Sequence, residues 1–200
     1  MANWCSTRIW FYSENYDTIE DFHDFVNDSL SKDVTYRNSL KNILVSAGVD
    51  YEHLSYRGTV EYISDIDIKD GYHYFTVDTE TAWVPMIRMW YEVLKSQNID
   101  NEVGIAFEAE ECGCELYAFY DQTGEFVVDM VYIDSYEESI HDYYASLHDA
   151  NEALREFFKV PDASQEELDK LVEQYNEENS EGDDFIYVHV FEEVDFFEYE

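Results

Sequence analysis

The sequence predicts a mixed α+β fold built on an antiparallel sheet. Segments of period-two alternation recur through the first 134 residues, and apolar residues at helical spacing recur between them. Acidic residues then dominate the remaining stretch, with helical spacing and a strand-like end. Two hundred residues suit one domain with additions, or a domain plus a small subdomain. A hydrophobic content of 46% with 18% aromatics can form a core, whereas disordered acidic segments are poor in aromatics.

NWCSTRIWFYS (3–13) alternates and is rich in aromatics, so it reads as a strand. A helix follows over 18–30. Thr18 and Asp21 have capping-box spacing there, and Ile19, Phe22, Val26 and Leu30 form an apolar stripe. Leu40, Ile43, Leu44 and Ala47 predict a short helix stopped by Gly48. The stretches 58–68 and 72–80 alternate around Lys-Asp-Gly, predicting a hairpin. Residues 85–98 form an amphipathic helix with Pro85 in its first turn. Residues 103–111 read as a strand, and 114–121 with 126–134 as a second hairpin.

Strand, helix, hairpin, helix, strand is the order of a ferredoxin-like split βαβ core, and the second hairpin would extend its antiparallel sheet. Domain organisation is therefore expected as a core over 1–134 and an acidic helical C-terminal addition over 135–200. In the addition, Ser135 and Glu138 have capping-box spacing for a helix over 135–148. Residues 151–158 continue helically to Pro161, and Ser164 and Glu167 cap a helix over 164–179. SEGDD (180–184) reads as a loop and the tail as a strand.

The charge is strongly uneven. Eleven basic and 47 acidic residues give −36. Residues 1–95 hold eight bases and 16 acids, but 96–200 hold three bases and 31 acids. Such a field disfavours direct contact with nucleic acid or an anionic membrane and favours a basic protein surface. Three cysteines, an odd number, and an opening without a basic-then-apolar leader lead to the expectation of reduced thiols in the cytoplasm of a host cell.

Three short stretches carry a family resemblance. Asn3-Trp4-Cys5 opens the chain, Gly58-Thr59 is central to YRGTVEYI, and Thr81, Ala82, Trp83 and Pro85 lie within YFTVDTETAWVPMIRMWYEVLK. Together they resemble the YubB-type ferredoxin-like family of plasmid, phage and genomic-island proteins. Its pattern runs M-x-N-W-C, then N-W-G-T-K-W-D, then T-A-W-S-P-P before a helix. Arg57 and Val60 stand where that pattern has Trp and Lys, and its second proline is missing here. The resemblance covers roughly residues 1–120. It implies the fold and a mobile-element origin, supplies no catalytic residue, and does not reach 135–200. Trp4 and Trp83, in these motifs, are expected to pack the sheet against its helices.

Chemical motifs are weak. Cys112-Gly-Cys114 supplies two thiols with no second pair, and neighbouring acids oppose thiolate formation. The six histidines are scattered and no H-E-x-x-H occurs. Asp65, Asp67 and Asp70 lack calcium-loop spacing. No G-x-S-x-G, P-loop or G-x-G-x-x-G is present. Neither a metal nor a cofactor is expected.

The informative part is carboxylate spacing. Neighbours on a helix face lie about 5–6 Å apart, alternate strand side chains ~6.5–7 Å, and phosphates recur every ~3.4 Å along each strand of B-DNA. Glu137, Glu138, Asp142 and Asp149 are expected on one helix, and Glu166, Glu167, Asp169, Glu173, Glu177 and Glu178 on another. Glu192, Glu193 and Asp195, with Glu198 and Glu200, extend the set into the tail. Tyrosines such as Tyr143, Tyr144, Tyr175, Tyr187 and Tyr199 would offer arginine a ring face among these acids.

The resulting expectation is a non-enzymatic acidic phage or mobile-element protein, acting as a DNA mimic. It would block the basic groove of a host defence protein, such as a CRISPR effector (anti-CRISPR) or a restriction enzyme (anti-restriction). The chain would be a monomer or dimer. The alternatives are a metal-dependent enzyme using clustered carboxylates, and a structural or assembly protein pairing through the edge strand 185–191. Independently of partner, self-repulsion at −36 predicts a melting temperature that rises with added salt. A melting series across sodium chloride concentrations checks this, and a flat or falling profile contradicts it.

Overall fold

A computed structural model describes residues 3–31, 38–128, 130–179 and 185–196. The loop expected at 180–184, and Glu198, Tyr199 and Glu200 of the tail, lie outside the described residues. The chain is mixed α+β and divides into two compact units, Val128–Glu192 and the remainder. The division falls before 131–135, not after 134, because among the described residues that strand pairs only within the second unit.

In the first unit, β1 (Trp4–Ser13) is central. It pairs antiparallel with β4 (Tyr72–Ala82) on one side and β5 (Gly104–Glu111) on the other. β2 (Gly58–Ile63) and the short β3 (Asp67–Lys69) both pair with β4. β4 thus lies between β1 and β2, the interleaving that a split βαβ unit requires. The first expected hairpin forms, but its first strand breaks at Ser64, whose Oγ accepts from Thr76 N (2.8 Å).

Alternation along β1 sends Cys5, Thr7, Ile9 and Phe11 inward. α1 (Tyr16–Ser31), α2 (Leu40–Ala47) and α3 (Ile87–Gln97) contribute Ile19, Phe22, Val26, Leu40, Ile43, Leu44 and Trp90 to the same core. Phe11 meets Phe22, Phe75 and Trp90 at ring distances of 5.1, 5.4 and 5.1 Å. Each such ring pair contributes about 0.5–1.5 kcal/mol beyond area burial. Gly48 ends α2 at φ 68°, a left-handed conformation that costs glycine little.

Several local expectations change. Thr18 does not cap α1; Asn15 does, its Oδ1 accepting from Asp17 N (3.1 Å), while Thr18 Oγ1 donates to Glu102 (3.0 Å). Pro85 precedes α3 instead of lying in its first turn. Trp4 and Trp83 are 51% and 47% exposed and do not pack the sheet against helices; Trp90 takes that role. Among the described residues of 114–134 no hairpin forms, since 116–120 and 131–135 belong to different sheets. β6 (Leu116–Tyr120) pairs back onto β5 through a 3-10 turn at Cys112–Cys114. β10 (Glu192–Glu193) lies beside β6, and Val194 N donates to Phe119 O (3.0 Å).

The expected Asp-Gln-Thr-Gly-Glu turn instead folds around Asp121. Its Oδ1 accepts from Thr123 N and Oγ1 (2.9 and 2.7 Å), and its Oδ2 from Phe126 N and Val127 N (2.7 and 3.1 Å). Burial opposes ionisation of this carboxyl, but these hydrogen bonds outweigh it and hold the group below its ordinary range. The turn stacks Phe126 on Tyr12 (4.8 Å), making a small aromatic core with Ala106. Gly104 lines the same place because a Cβ there would sit 2.2 Å from the Tyr12 ring.

The second unit has its own sheet, in the order β8-β7-β9. β7 (Val131–Ser135) pairs antiparallel with β8 (Asp142–Tyr144) and β9 (Ile186–Val190). α4 (Leu147–Phe158) and α5 (Gln165–Glu178) supply Ala150, Leu154 and Leu168 to a core with Val131, Ile133, Ile140 and Ile186. The helix expected over 135–148 is therefore a strand end, a turn and β8. Tyr136, Ile140 and Tyr144 do stand at helical spacing, but pairing of 142–144 with β7 prevails, and of 136–143 only Ile140 is buried. Ser135 N instead donates to His141 Nδ1 (3.2 Å), and Tyr143 pairs with Tyr132 across the strands.

Replacing Asp121 by alanine strands the Phe126 and Val127 donors and should cost about 1–3 kcal/mol. All four tryptophans lie in the first unit. Denaturant unfolding followed by tryptophan fluorescence reads this loss, and an unchanged midpoint contradicts it.

Candidate functional site

All thirteen acidic residues expected to meet a partner are exposed. They do not form the two helical sets expected from spacing. Glu137 and Glu138 lie in the β7–β8 turn, Asp142 begins β8, and only Asp149 lies on α4. Asp149 closes the cap of α4: its N donates to Ser146 Oγ (3.2 Å), which donates to Asp149 Oδ2 (2.6 Å). Glu192 and Glu193 form β10, and Asp195 follows within the first unit.

The α5 set forms as expected, but its members divide by role. Glu166, Asp169, Glu173 and Glu177 are spaced 3, 4 and 4 residues apart, so they share a face at axial steps of about 4.5–6 Å. Leu168 is buried on the opposite side. Glu166 is paired to Lys170 (2.7 Å), which locally cancels its charge. Glu167 is structural: its carboxylate accepts from Ser164 N and Oγ (both 2.8 Å) in the expected capping box. Those two bonds, the backbone one foremost, hold Glu167 below the ordinary glutamate range. Glu178 accepts from Gln174 (2.6 Å). Asp169 likewise accepts from Gln165 (2.8 Å), a neutral donor that leaves its charge in place, and Asp169, Glu173 and Glu177 form an outward acidic stripe.

The sheet face opposite the helices was not visible in the spacing of acids. Val131 and Ile133 point to the core, so Tyr132 and Asp134 point away from it. Tyr132 is opposite Tyr143 on β8 and His189 on β9, which makes a cross-strand aromatic row. Tyr132 stacks on Tyr143 (4.6 Å, 21°) and lies nearly parallel to His189 (6.1 Å, 22°). Tyr187 continues the row beyond His189 (6.2 Å) and meets Phe185 (4.8 Å). Tyr143 and Tyr187 are 42% and 51% exposed. His141 borders the row beside Asp134 (3.7 Å). The sequence does carry the signal, as period-two alternation in VYID and IYVHV, but assigning 135–148 to a helix hid the pairing that aligns it.

The unit is acidic throughout. Val128–Glu192 holds 19 acids and three bases. The bases Arg155, Lys159 and Lys170 sit on α4, its C-cap and α5. Arg155 is already paired with Glu152 (2.6 Å) and donates to Ala163 O (2.9 Å).

The family-like stretches of the first unit converge at one sheet end. Cys5 is opposite Thr81, Gly58 is opposite Thr81 on the other side of β4, and Trp83 N donates to Asn3 O (3.1 Å). Arg57 lies over the Trp4 ring (5.8 Å). Cys5 is buried, and that burial pushes its thiol up to about 11. Cys112 and Cys114 are exposed free thiols, and a hydrogen bond with Glu111 raises Cys114 above its ordinary value. Among the described residues, no group of three or more His, Cys, Asp or Glu is placed to hold a metal ion. No helix among them is long and apolar enough to cross a membrane.

Comparison with protein-family models, with curated proteins and with solved structures finds no match for this chain.

The capping box makes a pH-dependent prediction. Because the folded Glu167 carboxyl is depressed, its stabilisation is present above the unfolded glutamate value and is lost as pH falls through the folded one. Glu167→Gln should therefore lower the melting temperature near neutrality, and the gap from the parent protein should close in acid. Parallel melts from pH 7 downward measure it, and a gap independent of pH contradicts it.

Proposed function

We propose that this chain is a non-enzymatic binding protein whose second unit docks on a cationic, nucleic-acid-binding surface of another protein. The observation that carries this is the row Tyr143–Tyr132–His189–Tyr187 on the sheet face away from the core, exposed at Tyr143 and Tyr187 and half-buried at Tyr132 and His189, in a unit with 19 acids against three bases. A similar aromatic row in a basic protein would stack unpaired bases. Here the field repels phosphate and attracts guanidinium and ammonium groups. Each arginine laid over an exposed tyrosine would contribute about 0.5–1 kcal/mol, more once water is excluded. The α5 stripe adds charge at a spacing of the same order as a phosphate backbone.

Nucleic-acid mimicry against the basic groove of a host defence protein is the form of this proposal that joins these features to the mobile-element resemblance of residues 1–120. The first unit is then a scaffold.

The test is competition. The protein should displace duplex DNA from basic host defence nucleases, with affinity falling about tenfold or more between about 0.05 M and 0.2 M salt. Two variants separate the contributions. Charge reversal of Glu166, Asp169, Glu173 and Glu177 to lysine should abolish displacement while leaving the fold intact by circular dichroism. Tyr132→Ala with Tyr143→Ala should weaken it about tenfold. Displacement that survives both variants sinks the proposal.

A further inference from the structure

The open edge of β9 shows how such a partner would be held. Asn176 of α5 bonds both backbone groups of Ile186: its Nδ2 donates to Ile186 O (2.9 Å) and its Oδ1 accepts from Ile186 N (2.8 Å). Ile186 is opposite Ser135, whose own N–H goes to His141, so this rung carries no ladder bond to β7. One rung beyond the ladder, Phe191 N donates to Met130 O (2.9 Å). Backbone direction alternates along a strand, so Tyr187 and His189 face β7, while Ile186, Val188 and Val190 turn their N–H and C=O away from it. Among the described residues no strand pairs with that side of β9. Asn176 therefore occupies the first outward rung as an added strand would, and Val188 and Val190 are the next two.

A groove of about 610 Å³ runs beside this edge, between α5 and β9. Leu154, Val172, Ile186 and Val188 contribute apolar lining. Asp169, Glu173 and Glu177, the outward stripe of α5, line it as well. Val190, half exposed at 49%, extends the apolar edge. The opposite edge, β8, is three residues long.

Spacing selects the occupant. The three carboxylates recur every four residues of helix, about 6 Å, while alternate side chains of an extended strand recur every ~6.5–7 Å. We infer that the β9 edge and the α5 groove accept, by strand addition, an extended segment of the partner with Lys or Arg at alternate positions. Backbone bonds to Val188 and Val190 provide affinity, and the carboxylate stripe selects the basic side chains. This inference rests on the cationic-partner proposal and adds to it the conformation and sequence pattern of the partner.

A synthetic peptide alternating lysine and threonine over about seven residues is the probe. A peptide of the same composition with contiguous lysines is the control, and polylysine reports general attraction to polycations. The alternating peptide should bind about tenfold more tightly than the control. It should also slow amide exchange at Val188 and Val190. Val188→Pro removes an outward N–H without touching the β7 ladder, a change an edge strand tolerates, and should abolish that preference. Should Val188→Pro disturb the fold, the triple variant Asp169→Asn, Glu173→Gln and Glu177→Gln on the exposed helix face should abolish it as well. Equal binding of both peptides, or binding without protection at Val188 and Val190, overturns strand addition and leaves the cationic-partner proposal standing. Failure of all three polycations to bind overturns both.

Discussion

What the second unit shows to solvent depends on the register of β7. Val131 and Ile133 enter the core, so Tyr132 and Asp134 must leave it. A one-residue slip would bury a tyrosine and a carboxylate and expose two aliphatic side chains, which the core could not repay. The same register aligns Tyr143 and His189 with Tyr132, although His189 lies far from the other two in sequence. It also determines which backbone groups of β9 face outward, because the rungs bonded to β7 leave the alternate rungs for the other side. The aromatic row and the open edge are thus two consequences of one pairing.

The charge imposes the second constraint. A chain at −36 must gain enough from burial to offset its own repulsion, and it places its rings accordingly. In the first unit Phe11, Phe22, Phe75 and Trp90 share one interior, and Phe126 seals a smaller aromatic cluster on Tyr12. In the second unit the core is small and aliphatic, with Phe157, Phe158 and Tyr175 packed at its margin. Several acids contribute to folding locally: Asp121 organises a loop, and Asp149 and Glu167 close helix caps. The basic residues Arg155 and Lys170 are committed to neighbours. The outward stripe of α5 is therefore not offset by nearby cations of its own unit, except at Glu166.

Legibility from sequence followed the range of the interactions involved. The α5 cap at Ser164 and Glu167, the stop of α2 at Gly48 and the amphipathic stripes of α1 and α3 depend on residues within a turn or two, and their spacing reveals them. The order β1, α1, hairpin, α3, β5 was likewise readable, since each element carries its own period. Capping-box spacing alone misled twice. At Thr18 an asparagine three residues earlier already capped the helix. At Ser135 the pairing of Asp142–Tyr144 with β7 prevailed over the local signal.

By itself, then, the sequence determined the fold class, most of the first unit's element order, the acidic imbalance and the exposed stripe of α5, because composition and short-range periodicity carry them. Only the tertiary structure decided that 131–135 leaves the first sheet to organise a second, and that Tyr132, Tyr143 and His189 meet on one face. It also decided that Trp4 and Trp83 face solvent and that β9 keeps an open edge beside α5. Those outcomes turn on pairings between segments distant in sequence, such as Val131 with Val190 in the second unit and Trp4 with Ala82 in the first. Which strand finds which partner is settled by the burial that the whole arrangement achieves, a quantity no single segment encodes.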